Sequence, residues 1–436
     1  MCKRATARVA TFSGANPHAV RRRGAVSSYT IGASMLRFLT AGESHGRALV
    51  VILEGMPAGL AIDVHRINHE LRRRQGGYGR GRRMKIESDE VELLSGVRRG
   101  ETIGGPIAMT IRNRDWTSWQ HTMSVEAAPP PDAGGAKRAP VTRPRPGHAD
   151  LAGAAKFART DVRDILERAS ARETAARVAA GALARHLLTA AGIDVASHVF
   201  AVGSARIAAE RIIPFDEAAA LPHDAPFRCV DAEVESRMIA EVDSAREAGD
   251  TLGGAFEVIV AGLPPGLGSY TQWDRKLDGL LAQALMSIPA IKAVGIGLGP
   301  EVAFRPGSRV HDEMVLDEAR ARATGIARPT NNAGGLEGGV TNGEDLRVSA
   351  WMKPISTLMT PLRSVDLETM TPAAAAIERS DVCAVPAAAV VGEAMVALIV
   401  ANALIEKFGG DSMAELQRAM TGTADALRAR FHKPAR

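Results

Sequence analysis

The segment spanning residues 385–405 constrains the fold more than any other part of the chain. It is the most apolar stretch and is long enough to cross a bilayer, but it is mostly Ala and Val and contains Glu393 and Asn402. A charge at the centre of a membrane is costly, and Pro386 suits the first turn of a helix that Gly409 would end. We therefore predict a helix buried in the core of a globular protein, and no membrane partner.

Composition limits the class of protein. The 436 residues are 46% hydrophobic and 24% charged, which is typical of a globular protein with a sizeable core, and the length allows one large domain or several ordinary ones. The net charge of +5 is modest, so a local anion site and a nucleic-acid surface would each account for it. Three widely spaced cysteines, Cys2, Cys229 and Cys383, predict a reducing compartment, no disulfide framework and no metal site.

The two ends of the chain differ from its middle. Residues 1–34 are rich in Arg, Ser and Ala and contain no acidic residue, a composition typical of a transit peptide. An upstream translation start, with Met35 as the functional one, explains the same segment, and in either case we expect 1–34 to be a disordered extension. We expect residues 35–420 to form a single domain and residues 421–436 a frayed C-terminal tail.

The predicted elements favour an α+β fold. Strands are predicted at residues 38–40, 48–53, 91–97, 106–111 and 255–260, and helices at residues 64–74, 170–191, 231–247 and 275–287. Because strands and helices do not alternate cleanly, a doubly wound parallel sheet is disfavoured. The segments 100–105 and 249–254 are similar, and each precedes a strand. They predict two related halves with antiparallel sheets and helices between or outside them.

Residues 72–85 combine cations with glycines in a way that predicts an anion site. The segment carries seven cations and four glycines, and no acid lies between Leu71 and Ile86. Each glycine would cost about 1 kcal/mol in a helix interior, so we interpret the segment as a loop that holds a polyanion. The alternative is a disordered basic segment that binds nucleic acid non-specifically. Structured flanks, and Tyr78 as the only stacking face, weigh against that alternative.

Two histidines and one aspartate are candidates for proton transfer. His45 lies in the turn Gly-Glu-Ser-His-Gly between two predicted strands, His148 follows a proline-stiffened segment with alternating arginines, and Asp381 lies close before the apolar helix. An imidazole exchanges protons near neutral pH. Structural roles stay open for each residue: a packed histidine, a rigid loop with solvated arginines, and a helix cap with a salt bridge.

Two further segments suit phosphate or a cofactor. Residues 168–173 place Arg168 and Arg172 at a helix N-terminus that Ser170 caps, where free N–H groups and the helix dipole favour an anion. A capping box alone explains the Ser and the Glu, although cations at this end need an anion to offset them. Residues 331–339 are rich in glycine, which lets a ligand approach the backbone closely, but the segment is not a Rossmann fingerprint.

Together these segments closely resemble the chorismate synthase family in its bacterial, monofunctional form. The resemblance covers residues 35–420 and rests on segments at residues 41–46, 76–81, 143–150, 168–174 and 379–386. It implies the β-α-β sandwich of that family. It also implies the anti 1,4-elimination of phosphate from 5-enolpyruvylshikimate 3-phosphate to give chorismate, which ends the shikimate pathway to the aromatic amino acids. That reaction needs reduced FMN but involves no net redox change.

The resemblance also implies roles for single residues. His45 resembles the histidine that protonates the departing phosphate, His148 the one that keeps the flavin in its reactive protonation state, and Asp381 the carboxylate that assists flavin N5 in removing the ring proton. Contacts with substrate anions or with a nicotinamide nucleotide are implied for Arg74, Arg80, Arg83, Arg172 and Arg379. Flavin contacts are implied for Arg168, Ala169, Ser170, Pro289, Ala290, Gly338, Lys353, Pro354, Ile355, Ser356, Thr357 and Arg379.

Partners and location follow from the same resemblance. It implies a cytoplasmic homotetramer that binds a small polyanionic substrate and flavin, with NADPH as an indirect reductant and no nucleic-acid partner. Gly295 and Leu298 stand where the family often has Glu and Asp, so flavin contact there is loosened or made by the backbone. Three alternatives stay open: a flavin oxidoreductase with net hydride transfer, a non-catalytic polyanion or nucleic-acid binder, and a family member that has lost activity.

Overall fold

A computed structural model describes residues 35–80, 88–127, 134–317, 324–378 and 381–431. Its α-helices are α1 (Val64–Gln75), α2 (Asp150–Phe157), α3 (Arg163–Ala169), α4 (Thr174–Ala190), α5 (Phe215–Ala219), α6 (Ala232–Glu247), α7 (Leu277–Met286), α8 (Val385–Phe408) and α9 (Met413–Phe431). Short 3-10 turns lie at Trp116–Ser118, Ala171–Glu173, Trp273–Arg275, Gly299–Phe304 and Gly307–Arg309.

The strands are short, apart from those at the centre of the two main sheets. They are β1 (Arg37–Ala41), β2 (Ala48–Glu54), β3 (Val91–Leu93), β4 (Val97–Arg98), β5 (Glu101–Thr102), β6 (Ile107–Arg112), β7 (Asp194–Val202), β8 (Ala205–Arg206), β9 (Gly254–Ala261), β10 (Ile291–Ile296), β11 (Val315–Leu316), β12 (Ile326–Ala327), β13 (Leu336–Glu337), β14 (Val340–Thr341), β15 (Leu346–Met352), β16 (Arg363–Asp366) and β17 (Thr371–Ala374).

The first main sheet is antiparallel, with the strand order β1-β2-β6-β3. Its two central strands bury alternate residues, because successive side chains of a strand point to opposite faces. The buried set on these strands is Leu49, Val51, Leu53, Ile107, Met109 and Ile111. This face of the sheet carries the helices.

The second main sheet is also antiparallel, with the strand order β10-β15-β9-β7-β8. Its central strand β9 is buried at every position except its two ends. The helix α8 covers one face of this sheet, and α5 covers part of the other, where Ile213 and Ile259 belong to a small second core. Burial on both faces explains why apolar residues occupy successive positions of β9 rather than alternate ones; the exception is Glu257, which pairs with His198 and Arg347.

Helices fill the space between the two sheets. The helices α1 and α4 pack on the first sheet, α7 and α8 pack on the second, and α4 lies against α8. Gly181 permits this close approach, because a Cβ at that position would overlap the Cβ of Ala394. The segments 100–105 and 249–254 precede the central strands β6 and β9. These layers confirm the predicted α+β sandwich with antiparallel sheets.

The apolar helix α8 is the centre of the core. Its length and composition would allow it to span a membrane, but 89% of its apolar window is buried inside the protein. Glu393 is fully buried on this helix and accepts hydrogen bonds of 2.7 and 2.8 Å from the two terminal nitrogens of Arg73. Asn402 accepts a hydrogen bond of 2.9 Å from the backbone of Leu36. The prediction of a buried core helix is confirmed, and its polar residues have partners there.

The interpretation of residues 72–85 as one loop is wrong at its start. Arg72, Arg73 and Arg74 form the last turn of α1, which ends at the cap residue Gly76. Because successive helical residues point about 100° apart, Arg72 is exposed, Arg73 reaches Glu393, and Arg74 points elsewhere in the interior. Tyr78 donates a hydrogen bond of 2.8 Å to Asp243, which ties its ring to the protein surface. Residues 81–87 lie outside the described part of the chain.

Several element boundaries differ from the predicted ones. The predicted strand at 91–97 ends at Leu93, because Gly96 has a φ of +81° and packs against Ile107 so closely that a Cβ would clash. The helix predicted at 275–287 begins at Leu277, after a 3-10 turn. The final helix α9 continues past Thr421 to Phe431 instead of fraying there, although its last residues are exposed.

Candidate active site

His45 lies in a tight turn between β1 and β2. Gly42 has a φ of +103° in this turn, and a Cβ there would strike the carbonyl oxygen of Ala48, so the position requires glycine. The Nδ1 atom of His45 lies 3.0 Å from both carboxylate oxygens of Glu167. The backbone N–H of His45 donates a hydrogen bond of 2.9 Å to the same carboxylate. One carboxylate therefore holds both the ring and the backbone of His45.

Glu167 is an ionised carboxylate in a buried position. Its side chain is 1% exposed, and burial by itself would raise its pKa. Hydrogen bonds with His45, the charge of that ring and the charge of Arg163, 3.3 Å away, instead lower the pKa of Glu167 below its ordinary value. The carboxylate is therefore charged at neutral pH.

An aromatic ring covers His45. The ring centroid of Trp119 lies 3.8 Å from that of His45, and the two planes are 20° apart. The guanidinium carbon of Arg138 lies 3.9 Å from the centroid of the same indole, and that of Arg163 lies 5.4 Å away. The segment after β6 thus folds over the turn and shields the imidazole from solvent, leaving its side chain 16% exposed.

Arg74 and Arg172 share a single buried carboxylate. Arg74 Nη2 lies 2.8 Å from Asp89, and Arg172 Nη1 donates to both oxygens of the same group. Asn113 joins this pair to the histidine turn, because its Oδ1 accepts from Arg172 and its Nδ2 donates to the carbonyl of Gly46. Two guanidiniums therefore meet at one carboxylate, next to the turn that carries His45.

Burial and the neighbouring charged groups shift the pKa of Arg74. Burial lowers the pKa of its guanidinium, and the neighbouring charges of Arg172 and Arg80 lower it further, while Asp89 acts in the opposite direction. The three arginines therefore lie close enough to repel one another. An anionic ligand would relieve that repulsion, which makes this part of the molecule a suitable anion site.

Arg168 and Ser170, predicted flavin contacts with Ala169 between them, form the support of the histidine turn. Arg168 donates hydrogen bonds of 3.1 and 3.2 Å to the carbonyls of Thr40 and Gly42. Ser170 Oγ lies 3.2 Å from Ser44 Oγ and caps the 3-10 turn that leads into α4. The predicted capping residue is correct, but the regular helix begins only at Thr174.

His148 is paired with a second buried carboxylate. Its Nδ1 lies beside Asp150 Oδ1 and 3.0 Å from Arg145 Nη2. Arg145 also binds Asp150 through Nε at 2.9 Å and reaches Thr357 at 3.1 Å. Burial would raise the pKa of Asp150, but hydrogen bonds from His148 and Arg145 hold it well below its ordinary value. The sequence of this segment suggests Asp150 as a helix cap, but Ala149 occupies that position and the Asp150 side chain binds His148 instead.

The predicted flavin contacts at 353–357 and 289–290 lie next to the His148 segment. Lys353 Nζ donates to the carbonyl of Gly147 at 2.9 Å, and the Lys353 backbone N–H donates to the carbonyl of Ala290, which follows Pro289. Partial burial and the charge of Lys292 lower the pKa of Lys353. Pro354, Ile355 and Ser356 continue this segment to Thr357. Two ammonium groups at close range suit an anion such as a phosphate.

Asp381 pairs with Arg80. The guanidinium of Arg80 lies 2.9 Å from the carboxylate, and both side chains are mostly buried. The Val382 backbone N–H donates to the carbonyl of Gly79, which fixes the Arg/Gly segment to the start of α8. A backbone hydrogen bond from Leu252 to Val382 then links Asp381 to the segment that precedes β9. Backbone hydrogen bonds therefore connect the Arg80–Asp381 pair to both the end of the Arg/Gly segment and the segment before β9.

Some predicted site residues do not join these groups. Gly338 lies in the turn between β13 and β14 at the N-terminal end of α7, whereas Pro289 follows its C-terminal end, about 15 Å away along the helix. Arg83 and Arg379 lie outside the described residues. Within the described ranges, no group of three or more His, Cys, Asp or Glu side chains is arranged to hold a metal ion.

The position of Gly295 explains one departure from the family pattern. A Cβ at Gly295 would lie 3.2 Å from the ring of Trp351 and 3.0 Å from Gly299. A glutamate side chain could not be accommodated here unless Trp351 moved. The glycine therefore matches the packing of this chain.

Sequence reasoning missed the carboxylate that orients His45 and the carboxylate that pairs with Arg74 and Arg172. Glu167 and Asp89 lie far from their partners in sequence, and neither belongs to a pattern that names a role. Asn113 was missed for the same reason. The signal available for Glu167 was its place directly before the Arg168–Glu173 segment, on the turn of helix that presents that segment.

Two imidazoles, each paired with a buried carboxylate and flanked by guanidiniums, are the arrangement of an enzyme that moves protons on a small molecule. A sequence model described as chorismate synthase matches residues 36–405. The chain therefore belongs to the chorismate synthase family, whose members are lyases of the shikimate pathway, and the predicted resemblance is confirmed.

Individual relatives agree with the family match. Chorismate synthase from Geobacter sulfurreducens is 56% identical over 398 residues, which cover 91% of this chain and 100% of the relative. The protein from Moorella thermoacetica is 57% identical over 383 residues, covering 88% and 97%. A crystal structure of chorismate synthase superposes with a TM-score of 0.71 at 41% identity and covers 90% of this chain and 98% of the other.

Proposed function

We propose that the chain converts 5-enolpyruvylshikimate 3-phosphate to chorismate and phosphate by anti 1,4-elimination, with reduced FMN and no net redox change. One observation carries the proposal: a buried carboxylate holds the imidazole of His45, and Asn113 connects the same turn to Arg172, which meets Arg74 at Asp89. A proton donor close to guanidinium groups suits the departure of a phosphate group.

The substrate's charge matches the arginines. Its phosphomonoester carries about −2 and it has two further carboxylates. Arg74, Arg80 and Arg172 supply guanidiniums from the described residues, and Arg83 and Arg379 are assigned to the same task. Bidentate guanidinium contacts would fix the orientation of the substrate as well as bind it.

The protein's own residues are assigned the proton transfers. Asp381 accepts the proton from the ring carbon, and the electrons of that C–H bond form the new double-bond system. The electrons of the carbon–oxygen bond leave with the phosphate, which His45 protonates through Nε2. Arg74 and Arg172 offset the negative charge that develops on the leaving oxygens.

The positively charged side chains next to the His148 segment suit the phosphate of a phosphorylated flavin. Burial and the charge of Lys292 both lower the pKa of Lys353, and a bound phosphate would offset this positive charge. The residues assigned to hold FMN are Arg168, Ala169, Ser170, Pro289, Ala290, Gly338, Lys353, Pro354, Ile355, Ser356, Thr357 and Arg379. His148, held by Asp150, keeps a proton next to the flavin position. Reduced FMN supplies electron density to the breaking carbon–oxygen bond when it is bound.

The wider context of the reaction belongs to the same proposal. Residues 35–420 form one catalytic domain, and the protein acts as a cytoplasmic homotetramer. NADPH serves only as an indirect reductant of the flavin. The exposed side chains of Tyr270, Trp273, Phe304 and Leu316 support assembly, because so much exposed apolar surface favours burial against another chain.

An anaerobic assay tests the reaction. Purified protein, chemically reduced FMN and 5-enolpyruvylshikimate 3-phosphate should yield chorismate, followed by its absorbance, with catalytic amounts of flavin and no NADPH consumed. Consumption of NADPH in proportion to product would indicate an oxidoreductase instead. His45→Ala and His148→Ala should fold normally and lose most of their turnover, and wild-type rates in both would overturn the acid–base assignment.

A further inference from the structure

Glu167 makes more contacts with the histidine turn than its position in the sequence suggests. Its carboxylate binds both the ring and the backbone N–H of His45, and its own backbone carbonyl accepts a hydrogen bond of 2.9 Å from Ser44. Arg163, one turn earlier on α3, holds the same carboxylate from the other side. Glu167 therefore fastens the turn to α3 through both its side chain and its backbone.

This contact selects one form of the imidazole. A carboxylate accepts hydrogen bonds but donates none, so Nδ1 of His45 must carry its hydrogen towards Glu167. Nε2 is then the ring nitrogen left for a ligand. The carboxylate of Glu167 also places a negative charge directly against Nδ1.

Other charged groups, both positive and negative, lie around His45. Arg163 on α3 and Arg138 on the indole of Trp119 oppose a positive ring, as does Arg172 beyond Asn113. Arg168, on α3, donates to carbonyls of the same turn. Glu43, within the turn itself, acts in the same direction as Glu167. Glu167 is the charged group in direct contact with the ring, so its effect is the one that a substitution isolates.

We propose that Glu167 is a positioning residue for His45: it fixes the Nδ1–H form of the ring, directs Nε2 towards the departing phosphate and places a negative charge against Nδ1, while Trp119 covers one face of that ring. The inference rests on the proposed function, in which His45 is the proton donor. It adds specific roles for Glu167, which selects the form of the ring, and for Trp119, which covers it.

The stacked indole provides a test that needs no substrate. A protonated imidazole quenches the fluorescence of an indole stacked on it more strongly than a neutral one does. The emission of the full-length protein should therefore fall on acidification, and this change should vanish in His45→Gln and in Trp119→Phe. The matched control is Trp273→Phe, because Trp273 is 83% exposed and remote from this stack in sequence, and it should leave the change intact.

Replacement of the carboxylate should move the titration. Glu167→Gln keeps the size of the side chain but removes its charge, and the midpoint of the fluorescence change should shift to lower pH by about one unit or more. The conservative Glu167→Asp should shift it less. An unchanged midpoint in folded Glu167→Gln overturns the proposal. If Glu167→Gln does not fold, Glu167→Ala, which also removes the charge, decides by the same criterion.

Steady-state kinetics separates positioning from simple support of the fold. Glu167→Gln should lower kcat about tenfold or more with little change in KM, and the basic limb of its pH profile should move to lower pH. Glu167→Asp should recover part of that loss. A shifted fluorescence midpoint in a protein that produces no chorismate would uphold the positioning role and overturn the proposed function. Normal turnover with an unshifted midpoint would overturn the positioning role and leave the proposed function intact.

Discussion

Asp89 is the residue on which the buried positive charge around the anion site depends. Its carboxylate pairs with Arg74 and Arg172, and all three side chains are at most 4% exposed. Removing one partner of a buried ion pair is more damaging than removing the whole pair, because the remaining charge is left in a medium that solvates it poorly. Here two guanidiniums would be left without their carboxylate.

We predict that Asp89→Asn lowers the free energy of unfolding by about 3–5 kcal/mol, measured by urea denaturation at pH 7. The matched control is Glu54→Gln, because Glu54 pairs with Arg37 on the surface, where the side chains are 53% and 67% exposed. That change should be below about 1 kcal/mol. Losses of similar size in the two variants would contradict the burial of the Asp89 group.

The candidate proton donors could be predicted because each lies in a compact local pattern. His45 stands among glycines that force a turn, and His148 follows prolines that stiffen the backbone. Glu167 could not be predicted, since it lies 122 residues from His45 and meets it only when α3 packs against the β1–β2 turn. The roles assigned to His45 and His148 stay predictions, but their placement beside carboxylates is what such roles require.

The helix α4 of the first sheet crosses α8 of the second sheet in close contact at Gly181. A Cβ at Gly181 would lie 2.5 Å from the Cα of Ala394, and backbone atoms cannot move aside as a flexible side chain can. We predict that Gly181→Ala lowers the free energy of unfolding by about 1–3 kcal/mol, because the helices must separate. Urea denaturation of the two proteins measures this difference.

A second glycine provides the control for this element. Gly422 lies within α9, where a Cβ would meet nothing within 4 Å. Alanine is the better helix former by about 1 kcal/mol, so Gly422→Ala should stabilise the helix or leave the protein unchanged. Destabilisation by both substitutions would show that the loss at Gly181 does not come from the helix crossing.

Elements were predicted well wherever a local signal sets their ends. Asp63 and Asp231 cap α1 and α6 at or next to the predicted starts of these helices, because a side-chain oxygen two or three residues from a free N–H needs no distant partner. The strand at 91–97 was predicted too long, because Gly96 turns the chain only where Ile107 of the neighbouring strand packs against it. That neighbour is a tertiary feature, which no local pattern contains.

At the scale of the whole molecule, buried ion pairs connect the two halves. Arg73 of α1 lies on the first sheet and binds Glu393 of α8 on the second. The sandwich itself could be predicted from the mixture of elements and the family resemblance, but this connection could not, because three consecutive arginines look alike in a sequence. Their different environments follow from the rotation of the helix once α8 lies beside it.

Acid should therefore weaken the whole structure. Five buried carboxyls have a pKa below the ordinary value: Asp89, Asp150, Glu167, Glu257 and Glu393. Burial by itself would raise each pKa, but the paired arginines or histidines lower it by more. A carboxyl whose pKa is lower in the folded state stabilises that state fully above its unfolded value, about 4, and loses this contribution as the pH falls towards the folded value. His186, buried with a lowered pKa, acts in the same direction below about pH 6.5.

We predict that the urea midpoint declines only gently from pH 7 to 5 and then falls steeply towards pH 3, as these carboxyls bind protons on unfolding. Asp150→Asn isolates one of them. The variant should be less stable than wild type at pH 7, and the difference should shrink as the pH falls, because a protonated aspartic acid and an asparagine carry the same charge. The surface variant Glu54→Gln should follow the wild-type curve throughout. A midpoint at pH 3.5 equal to that at pH 7 would contradict the prediction, since it would mean that the buried ion pairs contribute nothing to the folded state.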